Sequence, residues 1–92
     1  MPQSIYLNFL KNKNKMNKVT MSVWIRINFG THAKLNEELG LGKNTINRWF
    51  NSDPKKFYQH LPKLSELGKT PVDQMVEMIE QRIVDVDALR SL

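Results

Sequence analysis

Residues 32 to 51, HAKLNEELGLGKNTINRWFN, constrain this chain more than any other stretch. Leu35 and Leu39 are four apart, and Ile46 and Trp49 three apart, spacings that put each pair on one side of an α-helix. Gly40 falls between the pairs, where a chain leaving a helix takes the left-handed backbone that glycine adopts at least cost. Leu41 then drops into the angle between the helices as an apolar plug. This is the spacing of a helix-turn-helix, an arrangement that lets a second helix enter the major groove of DNA.

The spacing predicts the second helix of this motif, the third of the chain, from Lys43 to Asn51, with Gly42 at its N-cap. Ile46 and Trp49 point inward and Phe50 lies near the boundary. Lys43, Asn44, Asn47, Arg48 and Asn51 then share the opposite arc, which carries no acidic group. Asn can pair with adenine N6 and N7, and Arg or Lys with guanine O6 and N7, each contact worth roughly 1–3 kcal/mol of discrimination. Standing alone, such an arc is a solvated polar face; joined to the turn spacing it reads as a base-reading surface. Supporting contacts are expected from the first residues of the preceding helix, Thr31 to Ala33, whose N–H groups suit a phosphate, with His32 adding a hydrogen bond. Lys55 and Lys56 follow closely enough to reach the flanking phosphates, where they would position the protein without reading sequence.

Charge supports the same reading. The chain of 92 residues has a net charge of +5. Residues 1 to 50 hold eight Lys and Arg against Glu37 and Glu38, a balance of +6, and residues 51 to 92 hold six against seven, a balance of −1. A basic half joined to a neutral half fits a nucleic-acid-binding face plus a packing or association segment. There is no Cys, which excludes disulfides, thiolate metal sites and Cys nucleophiles. His32 and His60 stand far apart without a carboxylate cluster, so no metal or other cofactor is expected. No nucleophile–base pair or phosphate-cradling glycine loop is visible, which argues against an enzyme and a small-molecule substrate.

Along the chain, residues 1 to 18 read as a flexible or disordered basic tail, with an apolar patch at Ile5–Leu10 too short to span a membrane. The lysines follow that patch, unlike a signal peptide, so the expected location is cytoplasmic. Met16 and Met21 offer alternative translation starts. Residues 19 to 83 read as one domain. Thr20 caps a first helix, Met21 to Phe29, whose buried stripe is Met21, Trp24, Ile25 and Phe29, with Gly30 as its stop. Thr31 caps the second helix. Asp53 and Pro54 start a fourth helix, PKKFYQHL, which Pro62 kinks or restarts so that KLSEL continues to Gly68. Thr70 and Pro71 repeat the signal for a fifth helix. Val72, Val76, Ile79, Ile83 and Val86 recur there as a narrow seam that either closes the core or meets a second copy. Residues 84 to 92 form a C-terminal extension, and Ile83 to Asp87 suit a helix or a short extended segment equally. The expected fold is all-α, a compact bundle of about five short helices.

The string NFGTHAKLNEELGLGKNTINRWF resembles the Cro and lambda-repressor-like helix-turn-helix superfamily, and within it small phage Cro-type and YdaS-like regulators. The likeness covers about residues 21 to 51 and continues more loosely through LPKLSELGKTPVDQMVEMI. It implies a lambda-repressor-like DNA-binding domain. Gly42, Lys43, Asn44, Asn47, Arg48 and Asn51 fall on the family's DNA-contacting positions. It further implies a homodimer on a pseudo-palindromic operator, acting as a repressor or early-gene switch of a phage or prophage. Two positions depart from the family pattern: Asn36 stands where a small residue is usual, and Gly42 where Ser or Thr caps the reading helix. The alternatives are an antitoxin or adaptor working through protein contacts, and an accessory DNA-binding protein in replication or excision.

Overall fold

The computed structural model describes residues 19–92, which fold as an all-α unit; the tail and apolar patch expected over residues 1–18 lie outside them. Helix α1 spans Met21–Phe29, α2 His32–Glu38 and α3 Thr45–Ser52. A 3₁₀ segment follows at Pro54–His60, then α4 at Leu61–Leu67 and α5 at Val72–Arg90.

The first two helices start and stop where short-range signals put them. Thr20 is extended at the α1 N-cap, and its hydroxyl accepts the Val23 N–H at 3.1 Å. Thr31 does the same for α2, accepting the Lys34 N–H at 3.1 Å. Each bond satisfies a donor the helix ladder leaves unpaired, worth about 1 kcal/mol. Gly40, at φ 66°, reverses the chain after α2. Its N–H meets the Glu37 carbonyl and that of Leu41 meets the Asn36 carbonyl, both at 3.0 Å. These paired bonds close a helix that is followed by a left-handed residue.

Helix α4 ends in the same geometry on a less suitable side chain. The Lys69 N–H reaches the Glu66 carbonyl at 3.2 Å, the Thr70 N–H reaches that of Ser65 at 3.0 Å, and Lys69 sits at φ 48°. Its side chain is exposed, so the left-handed backbone is a cost without a packing return. Lys69→Gly is therefore expected to raise stability by about 0.5–1 kcal/mol in denaturant titration. A loss of stability would show that the lysine stem contributes more than its backbone costs.

Elsewhere the structure corrects the sequence reading. Helix α3 begins at Thr45 rather than Lys43, because Gly42 to Thr45 form a turn in which the Thr45 N–H meets the Gly42 carbonyl at 3.2 Å. Asn44, not Gly42, holds the N-cap place, left-handed at φ 64° and making no side-chain cap bond. Lys43 and Asn44 thus belong to the turn. The buried pair on α3 is Ile46 and Phe50, four apart, while Trp49 is only half-buried, edge-on to Phe57 and stacked on His60. Residues 54–60 wind as 3₁₀ instead of α. Pro62 has no N–H for the Tyr58 carbonyl, which takes that of Leu61 instead, so α4 is a restart. Asp53 stands at the N-cap of the 3₁₀ segment without a side-chain cap bond. Thr70 does not cap α5; Pro71 holds that place.

Helix α5 runs 19 residues, so Ile83 to Asp87 are helical and residues 84 to 90 continue the same element. Its inward side is Met75, Met78, Ile79 and Val86, with Ile83 partly buried, whereas Val72 is 46% exposed. The seam is thus spent largely on the core of one chain, and two methionines complete it. Met21, Trp24 and Ile25 of α1, Leu35 of α2, Ile46 and Phe50 of α3, Phe57 and Leu64 converge on Met75, Met78 and Ile79 as one cluster. The packing leaves α3 between α2 and the 3₁₀ segment, with one side on the core and the other in solvent.

Candidate nucleic-acid interface

A buried asparagine sets the angle between α2 and α3. Asn36 is 8% exposed and faces the start of α3 across the turn. Its Nδ2 donates to the carbonyls of Leu41 and Gly42, at 2.9 and 2.7 Å. Its Oδ1 accepts the Ile46 N–H at 2.9 Å. Ile46 is in the first turn of α3, where a cap residue's own side chain would ordinarily satisfy that donor. Neither Gly42 nor Asn44 supplies such a bond. Asn36 therefore makes up for the cap bond that Asn44 does not supply. The amide at 36 caps a helix that lacks its own cap, and in doing so joins α2 to α3.

The other end of α3 is held from α5. Arg82 donates from Nε to the Phe50 carbonyl at 2.8 Å, and its guanidinium lies 3.8 Å from the centre of the Phe50 ring. Arg90 donates to the Ser52 carbonyl. Cations at the C-terminal carbonyls of a helix are favoured by the peptide dipoles and satisfy acceptors without an intrahelical partner. Helix α3 is thus tied at its start by α2 and at its end by α5, which leaves its outward side chains on a fixed frame.

On that outward side, Asn47, Arg48, Asn51 and Ser52 are exposed, with Lys43 and Asn44 exposed in the turn before them. Asn51 donates from Nδ2 to the Asn47 carbonyl at 2.9 Å and to Asn47 Oδ1 at 3.2 Å. His32 Nδ1 lies 3.3 Å from the same Oδ1, its ring tilted against Phe50 with centroids 4.8 Å apart. Arg48 makes a long contact, 3.5 Å, with the Thr45 hydroxyl. A groove of about 490 Å³ runs between α2 and α3, lined by His32, Ala33, Asn36, Glu37, Leu41, Lys43, Asn44 and Asn47.

No family model, curated protein or solved structure matches this chain.

Of the residues singled out in the sequence, the structure brings His32, Lys43, Asn44 and Asn47 around this groove, with Asn51 bonded to Asn47. Arg48 sits beside them on α3. Thr31 is one residue before His32, and its hydroxyl oxygen is occupied in capping α2. Gly42 contributes a carbonyl that accepts from Asn36 and Thr45. Lys55 and Lys56 are exposed on the 3₁₀ segment, and no hydrogen bond or ion pair ties them to the groove. Spacing did not reveal Asn36, Arg82 or Arg90, whose partners lie 10, 32 and 38 residues away.

Electrostatics qualify the interface. Lys11, Lys13, Lys15 and Lys18 precede the described residues, so residues 19–92 carry ten Lys and Arg (14 less four) against nine Asp and Glu, a balance of +1. Glu37 lines the groove on the α2 side, and Lys34 reaches Glu37 at 3.1 Å and Glu38 at 3.3 Å. The hydrogen bonds to Glu37 and then Glu38 push the Lys34 pKa above its ordinary value, so the ammonium stays charged beside these carboxylates. Among the described residues, no helix is long and apolar enough to cross a membrane, and no three His, Cys, Asp or Glu side chains are grouped to hold a metal ion.

Proposed function

We propose that this chain is a sequence-specific double-stranded-DNA-binding protein regulating transcription, with α2, the turn and α3 working as a helix-turn-helix. The observation that carries this reading is the outward face of α3. Asn47, Arg48 and Asn51 stand there without a carboxylate, on a helix held at both ends by Asn36, Arg82 and Arg90. A rigid helix offering amides and a guanidinium matches the hydrogen-bonding edges of base pairs in the major groove. The positive charge concentrated in the N-terminal half supplies phosphate attraction, and the resemblance of residues 21 to 51 to Cro-type regulators agrees with a phage or prophage repressor. A dimer on a pseudo-palindromic operator belongs to the same proposal. The apolar side chains left outside the core on α5, Val84 and Leu89, each 59% exposed, are candidates for its contact. Those same side chains favour the second reading, an antitoxin or adaptor that binds a protein partner through α5.

The test is a gel-shift titration on oligonucleotides selected by the protein from a random pool. Arg48→Ala is expected to weaken specific binding by about 1–3 kcal/mol, and the double variant with Asn47→Ala to remove it, while helical circular dichroism is unchanged. Affinity should fall steeply with salt, because each neutralised phosphate releases counterions. Unimpaired binding by the double variant, or a flat salt response, would overturn the reading in favour of a protein partner.

A further inference from the structure

The side chains on the reading face are joined in a chain of hydrogen bonds with one possible direction. It starts at the backbone carbonyl of Asn47, which can only accept. Asn51 meets it at 2.9 Å, so the atom in contact must be the amide nitrogen of Asn51. That same nitrogen lies 3.2 Å from the Asn47 side chain, whose nearer atom must then be its oxygen, Oδ1. His32 Nδ1 also lies 3.3 Å from Oδ1, and two acceptors cannot share a proton neither carries, so Nδ1 holds the hydrogen. Oδ1 of Asn47 thus receives two donors, which fills its two lone pairs. Both hydrogens of Asn47 Nδ2 remain to be given, and Oδ1 of Asn51 remains to receive.

Resting on the DNA-binding reading above, we infer that the His32–Asn47–Asn51 relay decides what each asparagine can read. Asn47 reads an acceptor edge, purine N7 together with O6 when the base is guanine. Asn51, one helical turn on, reads an exocyclic amino group, on cytosine or adenine. The usual pairing of asparagine with adenine needs its oxygen and its nitrogen together. At Asn47 the oxygen is occupied, and guanine, with two adjacent acceptors, suits the outward amino group better. Residues 47 and 51 are separated by about 6 Å along the axis, at a rise of about 1.5 Å per residue. Adjacent bases on one strand are about 3.4 Å apart, so the two contacts fall one to two steps apart. The half-site therefore has a guanine under Asn47 and a cytosine or adenine within two steps of it. His32 touches no base in this scheme; it is a positioning residue.

The experiment uses the full chain and the duplex it selects from a random pool. Each purine of the half-site is replaced in turn by its 7-deaza analogue, which lacks only N7. At one guanine the substitution should weaken binding about 5- to 150-fold, the range of a lost base contact. The same substitution should weaken the Asn47→Ala protein no further. Asn47→Asp keeps the oxygen that His32 and Asn51 bond and presents oxygen instead of nitrogen outward, so it should lose that guanine and select a base bearing an amino group. His32→Ala, with folding checked by circular dichroism, should let adenine rise towards guanine at that position, whatever it does to overall affinity. Indifference to 7-deaza purines throughout the selected half-site, or an unchanged preference in Asn47→Asp, would overturn the inference and leave DNA binding intact. Failure to enrich any duplex would overturn both.

Discussion

Asn36→Ala is expected to destabilise the protein by about 3 kcal/mol, lowering the midpoint of thermal unfolding by 10 °C or more. The side chain is buried and makes three hydrogen bonds to backbone groups, at 2.7 to 2.9 Å. Its removal leaves the Ile46 N–H without its cap, a loss of about 0.5–2 kcal/mol. It also strips a donor from the carbonyls of half-buried Leu41 and exposed Gly42, which water can partly replace, so each costs less than the roughly 1–3 kcal/mol of a fully buried group. The Gly42 carbonyl keeps the Thr45 hydroxyl at 2.6 Å, so the penalties do not add in full. Asn36→Asp separates cap from crosslink. It can still accept from Ile46, but it sets a carboxylate against the carbonyl oxygens of Leu41 and Gly42 and should be no better than alanine at neutral pH. Circular dichroism during urea and thermal unfolding measures both variants. A loss below about 0.5 kcal/mol for Asn36→Ala would show that water replaces the amide at little cost, and that other contacts set the α2–α3 angle.

Gly68→Ala is expected to cost about 2–3 kcal/mol through contact with one side chain. A methyl group built on Gly68 would lie 2.3 Å from Cζ2 of Trp24 and 2.7 Å from Cε2, far inside van der Waals contact. The backbone there, at φ −94°, accepts alanine freely, so the penalty is one of packing. Trp24 cannot easily yield. It is 3% exposed, lies edge-on to Phe29 at 5.4 Å, and its indole N–H donates to the Thr70 hydroxyl at 2.9 Å. Forcing a carbon into such a contact costs about 1–3 kcal/mol, against a gain below 1 kcal/mol from stiffening the unfolded chain. In the Trp24→Phe background Cζ2, the atom nearest the methyl, is gone and the smaller ring has room to shift. The double variant should therefore fall short of the summed single losses by at least 1 kcal/mol. Additive losses would place the strain elsewhere.

These two residues also mark what a sequence conveys and what it withholds. Thr20, Thr31, Gly30 and Gly40 act on groups within five residues of themselves, so the ends of α1 and α2 were legible from spacing. The bond by which Asn36 caps α3 and the room that Gly68 leaves for Trp24 involve partners brought near only by folding. Nothing in the string distinguishes a glycine that ends α4 from one that makes room for an indole 44 positions earlier. The phase of α3 differs from its spacing for a related reason. Trp49 and Phe50 are both aromatic, and only the placement of Phe57 and His60 beside Trp49 leaves Phe50 to the core. On α5 the β-branched residues form the visible repeat, while Met75 and Met78 on the adjoining stripe are buried beside them. Asn47, Arg48 and Asn51 are exposed, as the polar arc of the sequence predicts. Their connection through His32 depends on the angle between two helices, which spacing permits but does not specify.

The grip of α5 on the end of α3 bears on how the protein is made. Arg82 and Arg90 close loops of 32 and 38 residues onto carbonyls near the end of α3. Domains assemble as their residues emerge from the ribosome, and contacts distant along the chain form late. A nascent chain that has passed residue 52 already contains every side chain of the outward face, yet the far end of that face gains its first tie only with residue 82 and its second only with residue 90. The end of α3 is thereby secured last, and an unfinished chain carries it as a loosely held helix.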